Sequence, residues 1–350
     1  MTRSPAISAV LPVFNAEAYV REAVESILGQ TFTDFELIII NDGSTDGSGA
    51  ILRELAARDP RIMLVERVND GLVSALNEGI AHARAELIAR MDADDVAAPE
   101  RFALQYAHMK AASELGVLGS FIQLMDKTGS PIRLGTYPVT PMEAARFLEH
   151  GCPLAHPTVM MRREAVVKAG GYRRIFSHCE DYDLWLRISE LGFAIANVPQ
   201  PLLNYRIHGG SVSTVHRQAQ EIGTIVALLC HRARQAGLPD PSEGVDVVHE
   251  NLIEAIPLHL REDLQASFFI TRHARISLAP LSELKSTWRE FRELDKKARS
   301  SPKMSDFLLR FANGAIRERS FIMAIHALIL AISLQPSRTI FSMWHKLKPR

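Results

Sequence analysis

Four short apolar stretches punctuate the first hundred residues, Ile7–Val13, Phe35–Ile40, Ile62–Val65 and Leu87–Met91, and helical spacing fills the intervals between them. This alternation restricts the fold more than any other feature of the chain. Parallel strands cannot be joined by a tight turn, because the chain must travel back along the whole strand, and an amphipathic helix is the usual return path. Ala16–Leu28 keeps Ala16, Val20, Ala23, Val24, Ile27 and Leu28 in helical register, a second helix starts after a capping Asp46, and a third spans the region between Gly71 and Arg84. Phe35–Ile40 is apolar except at Glu36, the pattern of a strand covered on both faces. The expected class is therefore α/β, with a mostly parallel central sheet.

Beyond residue 116 the pattern becomes mixed. Gly116–Leu124, Thr158–Met161, Phe193–Val198 and Leu202–Ile207 read as strands, and Glu180–Leu191 reads as a helix. After Ser211 nearly everything is helical, with helices expected near 246–265, 281–299, 303–317 and 320–334. The Pro- and Gly-containing stretch Gly237–Gly244 places a linker near 237–245. The expected division is a domain at 1–215 and an α-helical C-terminal region at 216–350.

Charge follows that division. The chain carries 40 basic and 40 acidic side chains, but residues 1–150 hold 13 basic and 21 acidic ones, a net of −8, whereas residues 251–350 hold 17 and 9, a net of +8. The zero total argues against a generally basic nucleic-acid coat, so nucleic acid is not an expected partner. The three cysteines, Cys152, Cys179 and Cys230, lack metal or redox spacing and fit a reduced, cytoplasmic compartment. Met1–Ala9 does not read as a signal peptide, and the apolar run Phe321–Leu334 is too short to span a bilayer.

Three turn-rich loops follow the strands: Asn41–Asp46, Asn69–Gly71 and Asp92–Asp95. In an open parallel sheet, ligands bind at the carboxyl ends of the strands, so these loops should share one rim. Asp92, Asp94 and Asp95 repel one another there and need a counter-charge. Hard carboxylate oxygens on a short turn suit Mg²⁺ or Mn²⁺ bridging to a diphosphate. Helix capping is the competing explanation for one of them, and ordinary turn chemistry competes for Asp42. Glu180, Asp181 and Asp183 start an apolar-faced helix, where acids are also favourable simply because of the helix dipole. Neither Gly-x-Gly-x-x-Gly nor a Walker-type loop follows the first strand, and His-Glu-x-x-His and Gly-x-Ser-x-Gly are absent. Dinucleotide dehydrogenases, P-loop enzymes, zinc proteases and α/β-hydrolases therefore lack support.

An ordered set of motifs goes further. Val10-Leu-Pro-Val-Phe-Asn15, Ser26-Ile-Leu-Gly-Gln-Thr31, Phe35 through Asp46, Arg90-Met-Asp-Ala-Asp-Asp95, Cys179-Glu-Asp-Tyr-Asp-Leu-Trp-Leu-Arg187 and Asn204-Tyr-Arg-Ile-His208 continuing to Ser213 resemble the inverting family 2 glycosyltransferases with the Rossmann-like GT-A fold. The resemblance covers residues 5–215. It implies a nucleotide-sugar donor, a UDP-sugar by preference, with Pro12, Val13, Phe14 and Asn15 at the base pocket and Asp42 bonded to the base. Asp92 and Ala93 would lie on the ribose side, and Asp94 would bind Mn²⁺ or Mg²⁺ on the diphosphate. Asp181, paired with Glu180, would be the general base for a glycan or lipid-linked acceptor in surface polysaccharide synthesis.

His208 reads either as a further metal ligand or as a loop histidine bonded to backbone, and Arg206 as a partner for phosphate. His156 reads either as an acceptor-side group or as a turn residue, and Trp185 as a sugar platform or as core. One departure is Leu76, in Ser74-Ala-Leu-Asn-Glu-Gly79, where relatives frequently carry arginine; Asn69 or Arg90 would have to make up that contact. Alternative readings are a catalytically silent nucleotide-sugar-binding module and a nucleotidyltransferase.

The resemblance stops before the basic C-terminal third. Arg272, Arg275, Lys285, Arg289, Arg292, Lys296, Lys297 and Arg299, with the tail Trp344–Arg350, form either a solvated appendage or a peripheral contact with the anionic inner face of a plasma membrane.

Overall fold

The computed structural model describes residues 4–208, 217–246 and, with gaps, 252–335. The Gly209–Ser213 end of the last motif, most of the helix expected near 246–265, Arg272, Arg275 and the Trp344–Arg350 tail lie outside the described residues. The chain divides into two compact units, Met1–His216 with Gly244–Val248, and Arg217–Glu243 with His249–Arg350.

In the first unit β1 (Ile7–Val13), β2 (Phe35–Asp42), β3 (Ile62–Arg67) and β4 (Leu87–Arg90) form a parallel block in the order β3-β2-β1-β4. The helices α1 (Val20–Leu28), α2 (Ser48–Arg58) and α3 (Leu72–His82) make the returns. β1 and β2 are buried along their whole length. Ile7, Ala9, Leu11 and Val13 share a core with Val20, Val24 and Ile27 of α1 and Leu52 and Leu55 of α2. On the opposite face α3 comes so close that a Cβ on Gly79 would stand 2.4 Å from Val10 Cγ1. Glu36, the charge within the Phe35–Ile40 run of β2, is kept by the Ser8 hydroxyl at 2.6 Å and the Arg84 guanidinium at 2.6 Å, which compensates its burial.

The sheet then continues as β4-β8-β6-β9-β5, antiparallel except between β6 and β9, with β5 at Val96–Ala97, β6 at Leu115–Met125, β8 at Met160–Arg162 and β9 at Ala194–Arg206. The long ladders are parallel, including β6 with β9, while the antiparallel ones are short. β7 (Pro131–Gly135) pairs with the far end of β6. α4 (Arg101–Ala111) follows β5.

Two expectations need correction. Phe193–Val198 and Leu202–Ile207 are one strand, not two. Pro199 and Pro201 cannot donate to a ladder, but they sit exposed where the register with β6 shifts, so β9 bulges and continues. The helix expected at 281–299 is two helices, Leu281–Glu293 and Lys296–Arg299. Helix α5 (Pro141–Leu148) was not foreseen although its start is written as a capping box, Thr140 with Glu143. The short helix α6 (Arg163–Lys168) and then α7 (Glu180–Glu190) complete the unit.

The second unit is helical. Met304–Arg317 and Phe321–Leu334 form a hairpin around Phe307, Leu308 and Phe311, joined by Leu284 and Phe291. Phe321–Leu334 is unusual in what it buries: Ala324, Ala327 and Ala331 face the core, while Ile322, Ile325 and Ile329 are exposed.

Candidate active site

β1, β2 and β4 end on one rim, because Val13 pairs with Asn41 and Val10 with Arg90. The loop after β4 puts ligand oxygens of Asp92, Asp94 and Asp95 within 4.8 Å of one another. Arg90 clamps Asp92 with two bonds, Nη2–Oδ1 at 2.6 Å and Nη1–Oδ2 at 2.9 Å. Asp94 Oδ2 meets His208 Nε2 at 2.9 Å, so the two expected metal ligands are brought together. Asp95 Oδ1 accepts the Arg206 backbone N–H, while its Oδ2 is buried without a hydrogen-bond partner. Burial first, and then the neighbouring Asp92 and Asp94, push the Asp95 carboxyl up; burial likewise raises Asp92 against the pull of Arg90. A turn of three carboxylates with an orphaned buried oxygen suits a divalent cation with oxygen ligands.

Arg206, expected on phosphate, has contacts within the protein. It is buried, with Nε on the Asp94 carbonyl at 2.8 Å, Nη1 on the Lys127 carbonyl at 3.3 Å and Nη2 on Glu22 at 2.6 Å, and it stacks over Tyr19. It clamps the acidic loop from behind. Guanidinium forks serve buried backbone carbonyls as readily as phosphates, and the sequence does not distinguish the two.

On the nucleotide side, Pro12 and Val13 are buried at the end of β1 and Phe14 is about half exposed on the rim. Asn15 adopts φ 49° and ties two loops together: its Oδ1 accepts the Thr45 N–H at 2.8 Å and its N–H donates to Ser44 Oγ at 3.1 Å. Asp42 is buried; its carboxylate accepts the N–H groups of Asp70 and Gly71 and pairs with Arg67 Nε at 2.8 Å. Ala93 is buried within the acidic turn, and Leu76 is core. Asn69 Nδ2 donates to the Asp42 carbonyl, so neither it nor Arg90 stands free to replace the arginine of relatives. Arg67, the last residue of β3, also pairs with Glu78 at 2.6 Å, and no motif in the sequence marks it.

The acids at the start of α7 divide into two roles. Asp183 is fully buried and pairs with Arg173 and Arg187, a structural clamp. Glu180 and Asp181 lie side by side at the start of α7, Glu180 buried and Asp181 half-buried. Burial and the neighbouring Asp181 push Glu180 up to about 7, and burial also raises Asp181, opposed in part by Arg90. Burial therefore outweighs the lowering effect that a helix N-terminus has on a carboxylate. His178, two residues before Glu180, takes φ 75°. Cys152 reaches Asp181 Oδ2 with its Sγ at 3.6 Å. His156 Nε2 bonds Tyr172 Oη at 2.9 Å, and Trp185 is fully buried, which makes it core.

The sheet order, the acidic turn at the end of β4 and the acid pair at the start of α7 together fit a fold of the GT-A type. The family model described as glycosyl transferase family 2 matches residues 8–171. The O-antigen biosynthesis glycosyltransferase WbnJ of Escherichia coli is 36% identical over 208 residues, covering 59% of this chain and 81% of that protein. The amylovoran biosynthesis glycosyltransferase AmsE of Erwinia amylovora is 32% identical over 202 residues, covering 57% and 75%. Among solved structures, S. aureus TarS 1–349 in complex with UDP-GlcNAc superposes with a TM-score of 0.60 at 16% identity, covering 94% of this chain and 92% of that one. The mannosyltransferase PcManGT from Pyrobaculum calidifontis, in complex with GDP-Man and Mn²⁺, gives a TM-score of 0.50 at 18% identity, covering 95% and 88%. The chain belongs to glycosyl transferase family 2.

Proposed function

We propose that the protein is a metal-dependent, inverting glycosyltransferase that moves a hexosyl group from a UDP-sugar to a glycan or lipid-linked acceptor in surface polysaccharide synthesis. The observation that carries this reading is the cluster of Asp92, Asp94 and Asp95 on the same sheet rim as Asp42, served by the same buried Arg90 that acts electrostatically on Glu180 and Asp181. Relatives named for O-antigen and amylovoran synthesis support the pathway class. The TarS complex with UDP-GlcNAc supports the donor, and the PcManGT complex with Mn²⁺ supports the metal. We assign catalysis to residues 1–215 and a cytoplasmic site of action. No helix among the described residues is long and apolar enough to cross a membrane. Contact with an anionic membrane surface is assigned to residues 216–350, supported by the net charge of +8 over residues 251–350 and by the exposed isoleucines of Phe321–Leu334.

Asp92, Asp94 and Asp95, with His208 on Asp94, would hold a divalent cation, which when bound offsets charge on the departing diphosphate. Phe14 and Asp42 would position the base. Asp181, ionised, takes the proton of the acceptor hydroxyl; the freed oxygen forms a bond to the anomeric carbon as the bond to the diphosphate oxygen breaks. Attack from the face opposite the diphosphate inverts the configuration. A positioned base is worth roughly 10²–10⁴ in rate.

The test is thermal stabilisation by UDP-, GDP- and dTDP-sugars with and without Mn²⁺, alongside transfer assays of Asp181→Asn. Mn²⁺-dependent stabilisation by one donor class, with transfer lost in the variant and donor binding kept, is expected. Stabilisation by no nucleotide sugar would overturn the reading.

A further inference from the structure

We propose that Cys152 is a positioning residue for the catalytic carboxylate: its thiol donates to Asp181 Oδ2 while that group is ionised and turns to the Leu154 carbonyl once Asp181 has taken the acceptor proton. The proposal rests on the reading of Asp181 as the base. Three observations support it. The Cys152 Sγ lies within reach of two acceptors, Asp181 Oδ2 at 3.6 Å and the Leu154 carbonyl at 3.3 Å, yet a thiol has one proton to donate. The residue is half-buried in the loop between α5 and the His156 turn, so the loop backbone fixes the sulfur while χ rotation of the S–H remains free. Burial, and next the charge of Asp181, push the thiol well up, so it stays an S–H donor and is neither thiolate nor nucleophile.

A fixed donor aimed at a half-buried base is less well matched once the base is protonated, because a neutral carboxyl accepts far more weakly than a carboxylate. Here the Leu154 carbonyl is the second acceptor. The thiol can follow the charge of Asp181 through a turnover without being left unsatisfied. Its own S–H bond does not break; the only proton transferred is that of the acceptor hydroxyl, which goes to Asp181. A hydroxyl or amide could make a stronger bond to Asp181, but it would hold the carboxylate's charge more firmly and make it a weaker base. The weak donor keeps Asp181 oriented at little cost in basicity.

The groups facing Asp181 are Glu180 and Cys179 along α7, Arg90 from β4, Tyr137 ahead of α5, and Tyr172. Of these Arg90, like the thiol, favours the ionised base. Loss of the thiol donor therefore destabilises ionised Asp181, so that its proton is released only at higher pH and the acid limb of the rate profile moves up.

The experiment compares full-length parent, Cys152→Ala, Cys152→Ser and Asp181→Asn in transfer assays with a donor sugar, Mn²⁺ and acceptor across pH. Cys152→Ala should lower kcat about tenfold, the lower range for a hydrogen bond to a charged group, with donor KM unchanged and the acid limb moved to higher pH. Cys152→Ser should bring the limb back toward or below its parental position. A Cys152→Ala enzyme with parental kcat and limb, while Asp181→Asn is inactive and still binds donor, would overturn the role of Cys152 and leave the base assignment standing. Transfer that persists in Asp181→Asn would instead overturn the base, and this proposal with it. A merely structural role for Cys152 would lower both variants' Tm and leave the limb in place, which also overturns the proposal.

Discussion

The buried guanidinium of Arg90 holds Asp92 through both of its terminal nitrogens, at 2.6 and 2.9 Å. It pairs with a turn that packs three carboxylates together, and its charge also acts on Glu180 and Asp181. Arg90→Lys keeps the charge but loses the fork, so stability should fall by about 1–2 kcal/mol in urea unfolding. Arg90→Ala leaves a partly buried acid unpaired and should cost about 3–5 kcal/mol. Equal stability of both variants and the parent would show that the pair contributes nothing.

Arg206 distinguishes a clamp from a phosphate ligand. Arg206→Gln removes the contacts to the Asp94 and Lys127 carbonyls and to Glu22. Residues that orient metal-binding groups typically govern about 10–100-fold in metal affinity. Mn²⁺ titration of the variant should show a loss of that size, while UDP affinity measured in EDTA stays parental. A fall in EDTA would return Arg206 to the diphosphate.

Close helix–strand packing supplies a third prediction. Gly79→Ala brings a Cβ to 2.4 Å from Val10 Cγ1. Overpacking costs about 1–3 kcal/mol, against a helix-propensity gain of up to about 1 kcal/mol. The net effect should be destabilising in Gly79→Ala and relieved when Val10→Ala is added, so the double variant should be more stable than the two single losses add up to. Strict additivity would mean that α3 simply moves away from β1.

These sites show what could be read in advance. The parallel β3-β2-β1-β4 block follows from apolar runs and turn residues, both local properties, and so does the common rim of Asp42 and Asp92. The bulge at Pro199 and Pro201 was not legible, because prolines end a strand unless they face solvent at a register shift, and only the neighbouring β6 determines that. Arg206 sits in a motif, but whether a guanidinium meets phosphate or a carbonyl depends on contacts more than a hundred residues away in sequence. Cys152 has no motif at all; its proximity to Asp181 arises from the loop after α5 packing against the start of α7. The Thr140–Glu143 box, by contrast, is a purely local signal that four residues of sequence carry in full.

The helix Phe321–Leu334 turns Ile322, Ile325 and Ile329 outward and buries alanines instead. If this face meets lipid, full-length protein should float with vesicles containing anionic phospholipid, and the triple Ile→Ser variant should lose most of the bound fraction. Each isoleucine is worth about 1.5–3 kcal/mol when fully buried. Unchanged flotation of the variant would remove this face from the contact.

Glu180 couples stability to pH. Its folded value, about 7, lies above the ordinary 4.5, the cause being burial and then Asp181. The folded chain therefore holds a proton that the unfolded chain has already released. The stability associated with it is fully present below about pH 4.5 and is lost as pH rises through about 7. Glu180→Gln removes the ionisation while keeping the shape. At pH 8 the variant should be more stable than the parent by roughly 2–3 kcal/mol, and at pH 4 the two should coincide. Urea unfolding at the two pH values checks it, and a gain of equal size at both would show that ionisation is not the cause. Transfer by the variant should fall, because Glu180 sits beside Asp181 at the start of α7, within the proposed catalytic site. A gain in stability with a loss of rate is the expected mark of a residue kept for function.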